Sequence, residues 1–329
     1  MGRRGGAPAS DPLARLVYGS RLLGAEPDLV LHGGGNTSVK VTLPDLTGEP
    51  VDVLYVKGSG WDLATIEAPG FAPLRLDRLR ALLRLERLSD TMMMHELRGA
   101  AIAPGAPDPS VEALLHALVP HPAVLHTHAD ALLALTDQPD GAAIVGDVFG
   151  DRVLVVPYTM PGFDLARRCA EVAPRDLGPR VTGIVLMHHG LFTFGADVEE
   201  AYRRHIELIT CAERHLAGRP AARPTPDAPA PRVDPLRLAR LRREVSAAAG
   251  GPMVLTRHDD PDIRAFVSRP DLASVAGRGP LTPDHVLRTK RIPLVGSDLD
   301  GYVRDYRRYF DTHRERRGTA LTMLDPAPG

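Results

Sequence analysis

Apolar residues recur at helical spacing over residues 12–23. The chain then passes through a glycine-rich turn at 32–36 into an alternating, strand-like run at 37–43. A second β run, 51–56, ends at Lys57-Gly58-Ser59-Gly60. Leu and Arg at helical period predict a helix over 74–88, and Asp108-Pro109-Ser110 opens another over 111–118 with Ser110 as its N-cap. Residues 123–128 read as a short strand, 129–135 as helix, 151–157 as a strand and 163–172 as helix. A buried strand at 183–187 carries His188-His189-Gly190 at its end, 191–194 resumes β structure, and 198–216 is a long amphipathic helix. Strands and helices follow one another without a strict βαβ rhythm. That order suits an α/β or α+β fold with a mixed sheet better than a Rossmann fold.

The pattern lapses at 218–234, where Pro and Ala with several Arg give the composition of a linker. Beyond it, 235–249 reads as a basic helix, 261–276 as helical, 281–285 as an abrupt loop and 302–310 as a final helix. The expected organisation is a disordered lead-in at 1–10, a main domain at 11–217, the linker, and a helical C-terminal extension at 235–329 packing on the core. Bulk composition adds mainly exclusions. The 329 residues, 43% hydrophobic and 25% charged, suffice for one sizeable core and an appendage or for two modest domains. A net charge of -1 and dispersed Arg argue against a nucleic-acid footprint. No apolar run approaches the ~20 residues of a membrane span, and no apolar segment follows Arg3 and Arg4 as in a signal peptide. Two cysteines, Cys169 and Cys211, are too few for a disulfide framework. Together these features suggest a soluble protein of a reducing compartment, the cytoplasm.

Three groups of residues carry candidate chemistry. In His126-Thr127-His128 the two imidazoles point to one face of a strand and can grip one ion, although a polar strand end has the same pattern. His189, on a loop directly after a strand, offers a third nitrogen, and three histidines would leave a coordination position open, as in catalytic sites. Glu112, in the first turn of the helix begun by Ser110, suits either a dipole-stabilised carboxylate or a base beside a metal-polarised carbonyl. The third group is formed by two glycine runs, Gly33 to Ser38 and Lys57 to Gly60. They offer backbone N–H groups that suit a phosphate or simply make turns, and neither is a Walker A or dinucleotide motif.

Taken in order, Gly-Asn-Thr-Ser, Lys-Gly-Ser-Gly, Pro-Ser-x-Glu, His-x-His and His-Gly-Leu resemble the class II aldolase/adducin family. The likeness is greatest to the aldolase part of bifunctional rhamnulose-1-phosphate aldolase/alcohol dehydrogenases. It runs through HGGGNTSVK at 32–40, PSVEALLHAL at 109–118, VLHTHADALLALT at 124–136, VVPYTMPGFDLA at 155–166, HHGLFTFG at 188–195 and LTPDHVLRTKRIPL at 281–294. The resemblance implies a three-layer α/β/α domain with a central, mostly antiparallel sheet. It implies reversible cleavage of a ketose 1-phosphate to dihydroxyacetone phosphate and an aldehyde, with a divalent ion, zinc foremost and manganese or iron as alternatives, on His126, His128 and His189. By the same matching Glu112 shuttles the proton at carbon, and Asn36, Thr37, Ser38, Gly58, Ser59 and Ser110 hold the phosphate. Tyr158 resembles the tyrosine that protonates the departing alkoxide, often from across a subunit boundary, and homotetramers are common among relatives.

Departures and leftovers qualify this picture. Val111 stands where phosphate-binding relatives often have a second serine, and no glycine-rich dinucleotide motif follows the aldolase region, so a dehydrogenase activity is not carried over. A same-fold epimerase or decarboxylase would use the same histidines. A non-catalytic adducin-like module typically lacks them. His188 is expected at a strand end or behind the metal ligands, and His116, one turn after Glu112, as a structural group. Asp284, His285, Arg288 and Lys290 form a polar cluster, read here as pinning the extension to the core; the competing reading is that they meet an anionic substrate.

Overall fold

Asp11 caps the first helix, α1 (Pro12–Gly24), by accepting from the Leu13 amide at 3.0 Å, and Pro12 sits in the first turn, where a missing N–H costs nothing. The computed structural model describes residues 11–45, 47–218, 233–317 and 321–328. After α1 come β1 (Asn36–Pro44), β2 (Pro50–Lys57), β3 (Phe71–Arg75), α2 (Leu76–Leu82), α3 (Asp90–Gly99) and α4 (Ala113–Leu118). Then follow β4 (Ala123–Thr127), α5 (Asp130–Thr136), α6 (Gly141–Phe149), β5 (Val153–Val156), α7 (Phe163–Asp176), β6 (Gly183–Leu186), β7 (Gly190–Gly195) and α8 (Val198–Ala217). The seven strands lie in the order β3-β2-β1-β4-β7-β6-β5, and only β5 and β6 pair in parallel.

Alternation along the strands feeds two apolar cores, one per face of the sheet. On one face Leu54, Leu74, Val124 and Phe192 pack with Leu79, Leu114 and Phe163 of α2, α4 and α7. On the other, Leu125 and Val185 pack with Leu16, Leu132 and Val145 of α1, α5 and α6. Helix α8 lays its stripe of Val198, Ala201, Leu208, Ile209 and Ala212 there. The result is the expected three-layer α/β/α arrangement with a mostly antiparallel sheet. Among the described residues no helix is long and apolar enough to cross a membrane.

The chain divides into two compact units, Met1–Arg219 with Leu281–Asp284, and Pro220–Pro280 with His285–Gly329. The second is helical, with α9 (Pro235–Ala249), α10 (Pro261–Val267), α11 (Leu272–Ala276) and α13 (Leu299–Arg317). It has a small core of its own around Val245, Leu299 and Ala327, and α12 (Pro283–Val286) spans the point where the chain leaves the first unit. Several expectations need correction. Residues 74 and 75 end an edge strand, so α2 starts only at Leu76, and the helix read across 261–276 breaks before Leu272, where Pro270 cannot donate. Helix α4 starts at Ala113, which places Glu112 at the N-cap, and the Ser110 hydroxyl accepts from the Glu112 amide at 3.2 Å. The lead-in at 1–10 and most of the linker lie outside the described residues.

Helix α8 is keyed to the sheet by a buried histidine. His205 Nδ1 lies 2.9 Å from Thr193 Oγ1, which donates to Ala201 O at 3.0 Å, and His205 Nε2 lies 2.7 Å from Thr127 Oγ1. Thr193 therefore accepts from Nδ1–H, and in the neutral ring Nε2 accepts from Thr127. Burial lowers the pKa of His205 to about 3, and burial, against the pull of Glu112, lowers that of His116 to about 3. Both groups titrate near 6.5 in the unfolded chain, which then binds protons that the fold refuses. Their stabilising contribution is complete above pH 6.5 and is lost as pH falls toward 3. His205→Gln is expected to reduce the acid slope of urea stability in that window by about 1.4 kcal/mol per pH unit. An unchanged slope would contradict the assignment.

Candidate metal centre

Strand β4 ends at Thr127, and its pleat sends His126 to the face of Phe192 while Thr127 turns to α8. The His126 ring stacks on Phe192 with centroids 4.0 Å apart, and its Nδ1 donates to Leu191 O at 3.0 Å. His128 follows at the strand end, and its Nδ1 lies 2.6 Å from Asp284 Oδ1. His189 arrives from the β6–β7 hairpin, whose first cross-strand pair is Leu186 with Gly190. In that turn His188 adopts φ 58°, a left-handed conformation uncommon for a side-chain-bearing residue, and the His189 amide donates to Leu186 O at 3.1 Å. The turn points His189 inward and leaves His188 outside, where it bonds Asp137 at 2.9 Å.

The three imidazoles each bring one ring nitrogen within 4.8 Å of the others, and all three residues are buried. Carbonyl and carboxylate partners only accept, so His126 and His128 both carry their protons on Nδ1. Their Nε2 atoms then face each other at 3.0 Å. Two lone pairs at that distance repel unless a proton or a cation lies between them. A third imidazole and the Glu112 carboxylate beside the pair make a set that fits a divalent cation rather than one shared proton. Burial holds His126 and His189 below their ordinary pKa, which keeps them in the neutral form that a metal needs.

Glu112 is 6% exposed, with Oε2 at 3.4 Å from His126 Nε2 and Oε1 at 3.2 Å from His189 Nε2. Asn36 Nδ2 donates to Oε2 at 2.6 Å, whereas Oε1 is buried without a hydrogen-bond partner. The amide of Asn36 is itself aimed by His116, whose Nε2 meets Asn36 Oδ1, and His116 Nδ1 lies 2.7 Å from Ser38 Oγ. Since Asn36 Oδ1 only accepts, His116 donates from Nε2 and takes the Ser38 proton at Nδ1, consistent with a neutral ring. His116, expected as a structural group, is therefore one link of the chain that orients Glu112.

The expected phosphate residues do not all reach one place. Thr37 and Ser38 are fully buried, and their hydroxyls have internal partners on opposite faces of β1: Thr37 bonds Ser20 Oγ of α1 at 2.7 Å and Ser38 bonds His116. As side-chain phosphate ligands they are corrected to scaffold groups, because the pleat that brings Asn36 and Ser38 toward α4 turns Thr37 away. The Gly58 and Ser59 amides are also engaged, with Gly70 O at 2.8 Å and Asp108 O at 2.7 Å, which stitches this turn to the segment carrying Ser110. Ser59 keeps an exposed side chain. Lys57, part of the motif but not singled out from sequence, is buried, donates from Nζ to Gly33 O at 2.7 Å and has its pKa lowered by burial to about 8. Asp284, Asp62 and Glu112 pull that value the other way. Tyr158 stays 54% exposed beside His188, ring centroids 6.1 Å apart, and is not brought to the histidines within this chain. The expected polar cluster divides: Asp284 joins the first unit at His128, whereas Lys290 donates to Asp325 O at 2.6 Å in the second.

The fold is shared with related proteins. The chain belongs to the class II aldolase/adducin family: residues 14–216 match the Class II Aldolase and Adducin N-terminal domain, and residues 233–329 match the second domain of class II aldolases. It is 40% identical to the N-terminal class II aldolase domain of a conserved protein from Thermoplasma acidophilum, with a TM-score of 0.60 over 66% of this chain and 99% of that one. An uncharacterized oxidoreductase of Bacillus subtilis (strain 168), YuxG, is 32% identical over 326 residues, which is 91% of this chain and 47% of YuxG. The chain thus spans about half the length of that relative. A methylthioribulose-1-phosphate dehydratase of Pseudomonas syringae pv. syringae (strain B728a) is 32% identical over 173 residues, 46% of this chain and 83% of that enzyme. Class II aldolases depend on a divalent metal, and the buried triad is where this chain can bind one.

The close packing of the centre gives a direct test. A Cβ on Gly190 would lie 2.4 Å from Thr127 O and 2.9 Å from His126 Cε1. Gly190→Ala is expected to cost ~1–3 kcal/mol in urea unfolding and to lower the metal content of the purified protein. Full metal content with unchanged stability would show that the histidines are not packed as described.

Proposed function

We propose that this chain is a metal-dependent aldolase of the carbon–carbon lyase type, which reversibly cleaves a ketose 1-phosphate resembling rhamnulose 1-phosphate to dihydroxyacetone phosphate and an aldehyde. The observation that carries this reading is the convergence of His126, His128 and His189 beside a buried carboxylate with one oxygen, Glu112 Oε1, left without a hydrogen-bond partner. Family membership and the ketose-phosphate substrate named for one relative support the substrate class.

Each residue then has a definite task. The three histidines would hold the ion, zinc or another divalent metal, which when bound polarises the ketone and stabilises negative charge on the neighbouring oxygens. In the synthetic direction Glu112 Oε1 takes a proton from the hydroxymethyl carbon of dihydroxyacetone phosphate, while Asn36 holds Oε2 and fixes the carboxylate's direction. The carbanionic carbon adds to the aldehyde carbonyl, and the new alkoxide takes a proton from Tyr158. Cleavage runs the same steps backward, with Glu112 returning the proton to carbon. The exposure of Tyr158 leaves it free to serve the site of a neighbouring copy, in keeping with a homo-oligomeric, tetrameric assembly. For the phosphate, the exposed Ser59 side chain, on the turn made by Gly58, forms the anion-binding side together with Ser110 and the buried cation of Lys57, while Asn36 and Ser38 brace α4 from the same face of β1.

One relative favours a second reading. The dehydratase matches over 83% of its length, and removal of water from a ketose phosphate needs the same first step, loss of a proton next to the ketone. Products separate the two, since cleavage releases an aldehyde and dihydroxyacetone phosphate whereas dehydration yields a single dicarbonyl phosphate. With zinc, manganese or iron restored after chelation, wild type is expected to exchange the hydroxymethyl proton of dihydroxyacetone phosphate in heavy water and to join it to lactaldehyde. Glu112→Gln should keep its metal and lose exchange by ~10²-fold or more. Exchange that survives the substitution would remove Glu112 from its role.

A further inference from the structure

Asp284 is 4% exposed, yet it comes from the far end of the chain, 156 residues after His128. Its two oxygens have separate tasks: Oδ1 accepts from His128 Nδ1 at 2.6 Å, and Oδ2 accepts from the Leu31 amide at 2.9 Å. The glycine turn is shaped around this carboxylate, because a Cβ on Gly34 would fall 1.6 Å from Oδ1. The four residues Leu281–Asp284 belong to the compact unit of the histidines, although they lie within the stretch matched by the second-domain family. Thr282, two positions earlier, is also buried at 3% exposure.

The geometry points to Asp284 as a positioning residue of the metal centre: it fixes the His128 ring and its tautomer, so that Nε2 is turned to the ion and made a better donor. This rests on the reading of the three histidines as metal ligands. A carboxylate on the remote nitrogen of a ligating imidazole typically raises metal affinity 10–100-fold. Asp284 does so from a part of the chain that the metal motifs do not contain. The centre is thus complete only when residues 281–284 are docked. A carboxylate whose purpose was to hold that segment in place would be served by the Leu31 amide or by a surface cation. Instead its shorter bond goes to a metal-ligand candidate.

The test uses the full chain, with zinc affinity measured by competition against a chromophoric chelator and the electronic spectrum of the cobalt-substituted protein as a second readout. Asp284→Asn and Asp284→Ala should bind zinc about 10–100-fold more weakly, with altered cobalt bands at equal loading and with far-ultraviolet circular dichroism like wild type. Asp284→Glu should recover part of the affinity. Lys290→Ala, which disturbs a contact confined to the second unit, should bind zinc like wild type. Should Asp284→Asn match wild type in both affinity and cobalt spectrum, Asp284 merely ties down the tail and the inference falls. The same holds if Lys290→Ala weakens zinc as much. Failure of wild type itself to bind zinc, or equal binding by His126→Ala, would instead remove the metal reading beneath it.

Discussion

Two bare imidazole nitrogens held 3.0 Å apart in a buried site form the constraint around which the rest of the first unit is arranged. Each ring is locked by the group behind it, Leu191 O for His126 and Asp284 for His128, so neither can turn its N–H inward to relieve the repulsion. Desolvation in the low-dielectric interior makes such an arrangement costly unless a cation joins it. The surrounding architecture keeps the rings from separating. His126 is stacked on Phe192, Thr127 is clasped by His205 of α8, and Gly190 packs without a side chain against Thr127 O and the rings of His126 and His128.

Around that core the polar groups fall into two chains of hydrogen bonds with different purposes. Ser38, His116 and Asn36 run to one oxygen of Glu112 and leave the other without a hydrogen-bond partner, which fixes the direction of the carboxylate. Asp284, anchored on Leu31, runs to His128 and bears on the metal ligands. Lys57 sits near the carboxylates of both chains, with its ammonium donating to Gly33 O.

Much of this was legible in the sequence, and what escaped did so for physical reasons. The period of two in His126-Thr127-His128 places both imidazoles on one face, and the run of strands and helices reads as a mixed α/β fold, while the three layers follow from the family resemblance. The edge strand β3 was hidden because Leu74 and Arg75 also fit the helical period that continues into α2. Strand parity was available for Asn36, Thr37 and Ser38 and would have separated Thr37 from its neighbours, but the resemblance treated the three as one phosphate group. His116 looked like a helix-face histidine because its partners, Asn36 and Ser38, lie 80 and 78 residues away. In the sequence Asp284 stands out only as part of a polar cluster that the fold divides between two units, and no local pattern announces a contact across 156 residues.

Whether the three histidines hold one cation is read most directly from a crystal structure of the zinc-loaded protein, with anomalous data collected on both sides of the zinc edge. One strong edge-dependent peak is expected about 2.0–2.1 Å from a ring nitrogen of each of His126, His128 and His189, with Asp284 still on His128 Nδ1. An anomalous map with no peak at that point, or a peak bound by other residues while the three rings stay as they are, would contradict the three-histidine site.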